Sequence, residues 1–403
     1  MKSPLLLVLL VATFAGALGA QVSPGQSAET VAPGAVTITG QIVGEGTGLP
    51  IPYSTVRLQP IGRERFADRS GAFVYYSVAP GEYQVQVRML GYLPVDTTIN
   101  VVANIARTLR VTLTRVPTSL DEVQVSAPPR RCLVPDEMGY VPDSELGTVL
   151  EEAKKNAQRE QLLRRTYPFE FRLAQSHDTY DLVSKTSALQ YDTVVHRSND
   201  SWRYKKGRVV SDDRNKIFGE VRLMRLPTLA DLADRTFLSA HCFKYAGIVD
   251  ESGRPAHRID FSPDSGLIAA DVEGSIYLDS ATYLIRRAQF RLTRGGTVKP
   301  AIIGLEVTTT YKEILPNVAL FDEIRSVQPL AVVAQSGPRR EFREVQRLLS
   351  YRYLYGGPPG TLGFKWIDVE AGSPLVAAQD GPPAHSSEGY RSQVGPPPGP
   401  PPK

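Results

Sequence analysis

Between Val36 and Leu113 the chain alternates apolar and polar side chains in short runs, each broken by Gly, Pro or Asp. A strand sends successive side chains to opposite faces, so each run makes one face for water and one that must be covered. Residues 36–43 alternate and end at Gly44-Glu45-Gly46-Thr47-Gly48, and residues 54–59 alternate again. Asp68-Arg69-Ser70-Gly71 has tight-turn chemistry: Asp bonds nearby backbone amides and Gly supplies positive φ. Residues 72–76 read as a strand and Pro80-Gly81 as a turn. In 82–88, Tyr83, Val85 and Val87 share one face, and 105–113 closes the unit. Strands recurring every ~8–12 residues specify a β-sandwich.

Composition divides the rest of the chain. Met1-Lys2, an apolar run to about Leu18 and the small residues Ala17, Gly19 and Ala20 read as a secretory signal peptide over 1–20. The run is short of the ~20 residues that a spanning helix needs. No later stretch is apolar enough to cross a bilayer. Residues 21–34 form a flexible lead-in, 35–115 the sandwich, 116–140 a Pro-bearing linker and 141–355 a larger domain. Residues 356–403 form a Pro/Gly-rich tail expected to be extended or disordered. The signal peptide makes the expected location exported.

In the larger domain, Leu146, Val149, Leu150, Ala153, Ala157, Leu162 and Leu163 recur at near-helical spacing with charges between them. This predicts an amphipathic helix whose apolar stripe docks on a sheet. Strands are expected at 168–174, 187–196, 247–249, 257–261, 274–279, 283–292, 304–311, 319–328 and 340–353. A turn at 279–282 makes a hairpin of 274–279 and 285–292. The fold class is mainly β: a sandwich followed by an antiparallel β-rich domain with one packed helix.

Lys and Arg total 46 against 42 Asp and Glu, a net charge of +4, which does not call for nucleic acid. Two cysteines are too few for a Cys-built zinc site. In an exported protein Cys132 and Cys242 are expected to pair, closing a long loop and contributing roughly 4–5 kcal/mol on the chain-entropy model.

The sandwich resembles the carboxypeptidase regulatory-like domain, on residues 38–43, 49–52 with 54–56, 68–73, 78–83 and 90–92. The positions that carry the resemblance include Gly40, Asp68, Gly71, Pro80, Gly81 and Gly91, read as turn positions. The resemblance implies a transthyretin-like, prealbumin-like β-sandwich grouped with carbohydrate-binding-like folds. Residues 120–127 are similar to the segment that follows this domain in bacterial outer-membrane receptors, but too little chain remains for a 22-stranded barrel. Residues 241–243, 258–263 and 271–279 are similar to exported bacterial proteins that join such a domain to an uncharacterised C-terminal region. The 274–279 hairpin resembles part of the half-barrel of lipoprotein-carrier proteins. These family resemblances imply periplasmic, outer-membrane-associated or extracellular residence in a Gram-negative-type bacterium.

No catalytic, cofactor or metal set assembles from the sequence. His385-Ser-Ser-Glu388 has zinc-like spacing, but in a Pro/Gly-rich tail nothing fixes its geometry. His241 and Cys242 are adjacent, and adjacent strand residues face apart, so they make a poor base–nucleophile pair. His177, Asp178 and Asp181 read as turn residues, and Arg63, Arg65, Arg69, Arg130 and Arg131 as solvated charge. Tyr75 or Tyr76, and Tyr92, are candidates for stacking on sugar. The expected function is a non-catalytic cell-envelope protein with the sandwich as binding or spacer module. Its partner would be an envelope protein, a glycan or a lipid. The alternatives are a lipid or hydrophobe carrier, and a peptidase or glycan hydrolase with an unrecognised site.

Overall fold

The computed structural model describes residues 33–117, 144–199, 203–215, 219–298, 301–302, 304–330, 340–361 and 363–369. The signal-peptide stretch, most of the lead-in, most of the linker with Cys132, Arg130 and Arg131, and His385 and Glu388 lie outside the described residues.

The first seven strands are β1 (Val36–Gly44), β2 (Thr55–Gln59), β3 (Arg63–Phe66), β4 (Ala72–Val78), β5 (Gly81–Arg88), β6 (Val95–Val101) and β7 (Arg107–Leu113). They form a three-stranded sheet, β4-β1-β7, and a four-stranded sheet, β3-β2-β5-β6. Both sheets contribute to one apolar core, with Ile38, Ile42, Val56, Leu58, Val85 and Val87 buried on alternating positions of β1, β2 and β5. The Asp68 carboxylate accepts from the amides of Ser70 and Ala72, at 2.8 and 2.9 Å, and Gly71 takes φ +70°. Gly40 is a correction to the sequence reading, because it lies inside β1 and not in a turn. It is paired with Phe73, whose ring stands 2.3 Å from where a Cβ would be.

The second part begins with helix α1 (Glu145–Thr166). Ser144 caps it by accepting from the Gly147 amide at 3.0 Å, and Arg164 and Arg165 lie in its last turn, where the helix dipole favours cations. Next come β8 (Phe169–Asp181), β9 (Ser187–Arg197), β10 (Val210–Asn215), β11 (Gly219–Met224) and α2 (Arg235–Ala240). The chain continues with β12 (His241–Asp250), β13 (Pro255–Pro263), β14 (Asp271–Asp279), β15 (Ile285–Thr293), β16 (Glu306–Leu315), β17 (Val318–Leu330), β18 (Arg340–Tyr353) and β19 (Ile367–Asp368). Among the described residues strands β10 and β11 pair only with each other, while a ten-stranded sheet runs β12-β13-β14-β15-β16-β17-β18-β8-β9 with β19 on β18. Its ladders are all antiparallel. The mainly β class with one long packed helix therefore holds.

The charges between the apolar positions of α1 do not form a solvated face. Glu152, Lys155, Asn156, Arg159 and Glu160 are all buried. Lys155 meets Glu152 at 2.7 Å and donates to the carbonyls of Tyr92 at 2.7 Å and Met89 at 3.3 Å. The Gly91 amide donates to Glu152 Oε2 at 3.0 Å, in a turn where Gly91 has φ +71°. Arg159 donates to the Tyr53 carbonyl of the sandwich at 2.8 Å and to the Asn317 carbonyl of the large sheet at 2.7 Å. Asn156 brackets the start of β15, donating to the Tyr283 carbonyl and accepting from the Ile285 amide. Burial pushes the Arg159 guanidinium down to about 9, with Glu313 and Glu152 pulling it back, so it stays charged at neutral pH. The helix is a polar strut bonded to the backbone of both parts.

The tail expected from residue 356 also needs correction, since its first stretch is packed. The Tyr53 hydroxyl donates to the Pro359 carbonyl at 3.2 Å, β19 pairs with β18, and Trp366 lies beneath the guanidinium groups of Arg172 and Arg352. The described residues, which end at Val369, belong to one compact unit.

Lys155→Met should destabilise the protein by about 3–5 kcal/mol in denaturant unfolding, because it strands a buried carboxylate. Adding Glu152→Gln should recover part of that loss. A single-variant loss below about 1 kcal/mol would show that the pair does not hold the two parts together.

Candidate functional site

Paired residues on antiparallel strands share a face, so register decides what lies under α1. Phe171 pairs with His196, Phe290 with Val307, Thr309 with Ile324, and Ile324 with Gln346. These side chains line one cavity of about 150 Å³, with Glu160 and Arg164 of α1 and residues 224–229 as further walls. The volume suits one ring or a short chain segment and falls below the ~300 Å³ at which drug-sized pockets begin.

The wall at 224–229 is held in place. Thr228 donates through its amide and its hydroxyl to Asp231 Oδ2, at 2.7 and 2.9 Å, and Gln161 of α1 donates to the Ala230 carbonyl at 2.8 Å. Asp231 also accepts from the Tyr204 amide. Burial raises the Asp231 carboxyl even so, against the bonds from Thr228 and Tyr204.

Glu160 and Arg164 stand one helical turn apart, an (i, i+4) pair of the kind that helices favour. Glu160 Oε1 takes both nearby guanidinium donors, Nε at 3.0 Å and Nη2 at 2.8 Å, while Arg164 Nη1 donates to the Ser198 carbonyl. Glu160 is 3% exposed, and among the described residues nothing donates to its Oε2. Beyond the cavity wall Gln346 donates to Glu344 Oε1 at 2.6 Å. Burial raises the Glu344 carboxyl to about 7, opposed in part by that bond.

A second polar knot lies under α2. His241 and Asp271 are both fully buried, with Nε2 to Oδ1 at 3.5 Å. The two ring nitrogens also lie 2.9 Å from the Phe237 carbonyl and 3.1 Å from the Val272 carbonyl. Asp271 accepts from the Tyr204 hydroxyl at 2.7 Å and from the amides of Gly207 and Val272. Burial alone would raise the Asp271 carboxyl, but hydrogen bonds led by those from His241 and Tyr204 hold it below its ordinary range. This knot ties α2, β12 and β14 together. Cys242, the next residue, is part-exposed while His241 is buried, consistent with opposite faces.

The remaining candidates scatter. His177 stacks on Phe342, Asp178 accepts from the Ser187 hydroxyl, and Asp181 accepts from the amides of Val183 and Ser184 at the β8–β9 turn. Arg63 and Arg65 donate to the Tyr76 and Val74 carbonyls, and Arg69 donates to the Tyr53 hydroxyl, so these arginines brace the sandwich. Of the tyrosine pair, Tyr75 is core and Tyr76 is 64% exposed. Among the described residues, no group of three or more His, Cys, Asp or Glu is placed to hold a metal. No helix among them is long and apolar enough to cross a membrane. The cavity residues were missed from sequence. The available signal was the Glu160/Arg164 spacing beside Leu162 and Leu163, and it also fits an exposed helix pair.

Glu344→Gln should stabilise the protein at neutral pH. A carboxyl raised in the folded state binds more proton there than in the unfolded chain, so stability falls as pH rises from about 4.5 to about 7. The gain should be on the order of 1–3 kcal/mol at pH 8 and vanish near pH 4, read from thermal melts at both values. An equal effect at both would refute the assignment.

No curated protein matches the chain by sequence. Among solved structures, a minor pilin of Streptococcus agalactiae is 17% identical over 22% of this chain, with TM-score 0.20; the match spans about half of that pilin, 48%. A LolA superfamily protein of Nitrosomonas europaea is 12% identical over 53% of this chain and 94% of its own, with TM-score 0.27. A DUF1329 family protein of Desulfovibrio piger is 9% identical over 51% of this chain and 94% of its own, with TM-score 0.30. Residues 37–114 match the family model of the carboxypeptidase regulatory-like domain, and the seven-stranded sandwich is a domain of that kind.

Proposed function

We propose that this is an exported, non-catalytic ligand-binding protein of the cell envelope. In this reading the large curved sheet and α1 hold a small ligand, and the regulatory-like sandwich is a docked spacer that fixes how the sheet is presented. The observation that carries it is the walled cavity beneath α1, lined chiefly by apolar side chains with the Glu160–Arg164 pair at one side. Such a mixture suits a ligand that is apolar over most of its surface and is oriented by a few polar contacts.

Export is supported by the signal-peptide pattern of residues 1–20. Pairing of Cys132 with Cys242 belongs to the same reading. The chain has two cysteines, and among the described residues none is free. The bond would tether the linker to the start of β12. Periplasmic or outer-membrane-associated residence, with a glycan, a lipid or an envelope protein as the outside partner, completes the proposal.

The test is native mass spectrometry of the protein recovered from its own cell envelope under non-reducing conditions. The expected result is a processed chain with one internal disulfide and a reproducible small-molecule adduct. Leu173→Trp fills the cavity at a stability cost of about 1–3 kcal/mol and should remove the adduct while the protein stays folded by circular dichroism. A clean mass with no adduct overturns ligand binding at this site and favours a scaffold role.

A further inference from the structure

We infer that β9 pairs along its free edge, antiparallel, with β9 of a second copy of this chain, and that Leu189 sits on the two-fold axis of the pair. The pairing is at one end of the large sheet and holds whether or not the cavity takes a ligand.

Strand β9 closes one end of the ten-stranded sheet, with β8 as its neighbour. Just beyond its two ends, the Thr186 carbonyl accepts from the Asp181 amide and the Ser198 amide donates to the Phe169 carbonyl. The register between these points is unbroken, so the even-numbered residues of β9 turn their backbone groups to β8. In an antiparallel ladder the alternate residues aim both N–H and C=O the other way. These are the odd-numbered residues, Ser187, Leu189 and Tyr191 among them. Among the described residues no strand pairs with that side of β9. The side chains beside it are apolar and open to water: Leu189 is 46% exposed and Tyr191 64%. Such an edge is a template for another strand.

Other edges carry the devices that keep strands apart. At the far end of the same sheet, β12 has the exposed Lys244 and a break in register between Tyr245 and Ile248, where Gly247 takes φ +86°. In the sandwich, β3 is four residues long with three charges, and Arg63 and Arg65 donate to the Tyr76 and Val74 carbonyls of edge strand β4. Strand β9 runs eleven residues in continuous register with no Lys, Pro or Gly.

Charge then selects the occupant and the alignment. Residues 185–193 carry one cation, Lys185, and one anion, Asp192. A two-fold axis at Leu189 sets Lys185 opposite Thr193 of the copy and beside its Asp192, and symmetry repeats the match at the other end. Leu189 then meets Leu189, and Ser187 meets Tyr191, which lies diagonal to the second Leu189. An axis at Asp192 would set two carboxylates face to face. An axis at Tyr191 would set Lys185 opposite Arg197, and it would take the Thr193 amide from the Asp192 carboxylate that holds it at 2.7 Å. The segment is thus complementary to itself in one register.

The test is sedimentation equilibrium of the full processed chain, with residue-resolved hydrogen exchange at the same concentrations. A strand-sized contact is a small interface, so a dissociation constant of roughly 1–100 µM is expected. The Ser187, Leu189 and Tyr191 amides should gain protection as the dimer fills, while the Gln190 and Asp192 amides, turned to β8, stay protected throughout. Leu189→Lys and Leu189→Glu each set like charges opposite one another and should weaken the dimer about tenfold or more. Mixed in equal amounts they should recover it, because residue 189 meets itself. Ile248→Lys, on β12, should leave the dimer unchanged. A monomer throughout that range overturns the inference. If the three amides are protected in that monomer, another segment of this chain covers the edge; if they exchange freely, the edge is bare. A dimer that Leu189→Lys leaves intact, or a mixture that stays monomeric, overturns it as well. Mass and amide protection in the parent decide the matter even if the variants do not fold.

Discussion

Four buried polar side chains on one helix, Glu152, Lys155, Asn156 and Arg159, set the terms for everything around them. A charge without water must find partners or unfold the structure that hides it. Here most partners are backbone groups: the Gly91 amide and the carbonyls of Tyr53, Met89, Tyr92, Tyr283 and Asn317. Backbone groups point correctly only if the turns that carry them are formed. The Gly91 turn, the start of β15 and the β16–β17 turn are thus all specified by one helix face. The sandwich and the large sheet are each pinned to α1, which fixes them to each other.

The same helix divides the interior of the large sheet. Its first half packs into a core with β12 to β15, through Val149, Leu150, Ala153 and Ala157. Its end packs into a second core with β8, β17 and β18, through Leu162 and Leu163. The cavity lies where these cores meet. Phe290 and Val307 belong to the first, Phe171 and Phe321 to the second, and both groups line it. One helix set against a ten-stranded sheet leaves a seam that two well-packed halves do not close.

The sandwich was legible because its physics is local. Alternation, the Asp68 turn and the glycine turns are written within short windows, and β1, β2, β4 and β5 follow them closely. The edge strands β3 and β6 both escaped, β3 because it lacks the alternation and β6 although Val95 to Val101 alternates and buries Ile99 and Val101. Arg63-Glu64-Arg65-Phe66 buries only its last residue. In the larger domain β9 and β18 match their expected spans to within a residue, while β8 runs on past residue 174, where its burial no longer alternates, and β10 and β11 have no counterpart in the sequence reading. The spacing in α1 shows its apolar stripe and not the burial of Glu152 or Arg159, which depends on partners more than sixty residues away. The cavity was invisible for the same reason: its walls meet only through tertiary register.

The contact between Tyr53 and Pro359 joins residues 306 positions apart. Tyr53 also gives its carbonyl to Arg159, so one sandwich residue is held both by α1 and by the stretch that runs on to β19. Whatever loosens that stretch from β18 therefore also loosens the sandwich at Tyr53, and the two parts share some of their stability through one tyrosine.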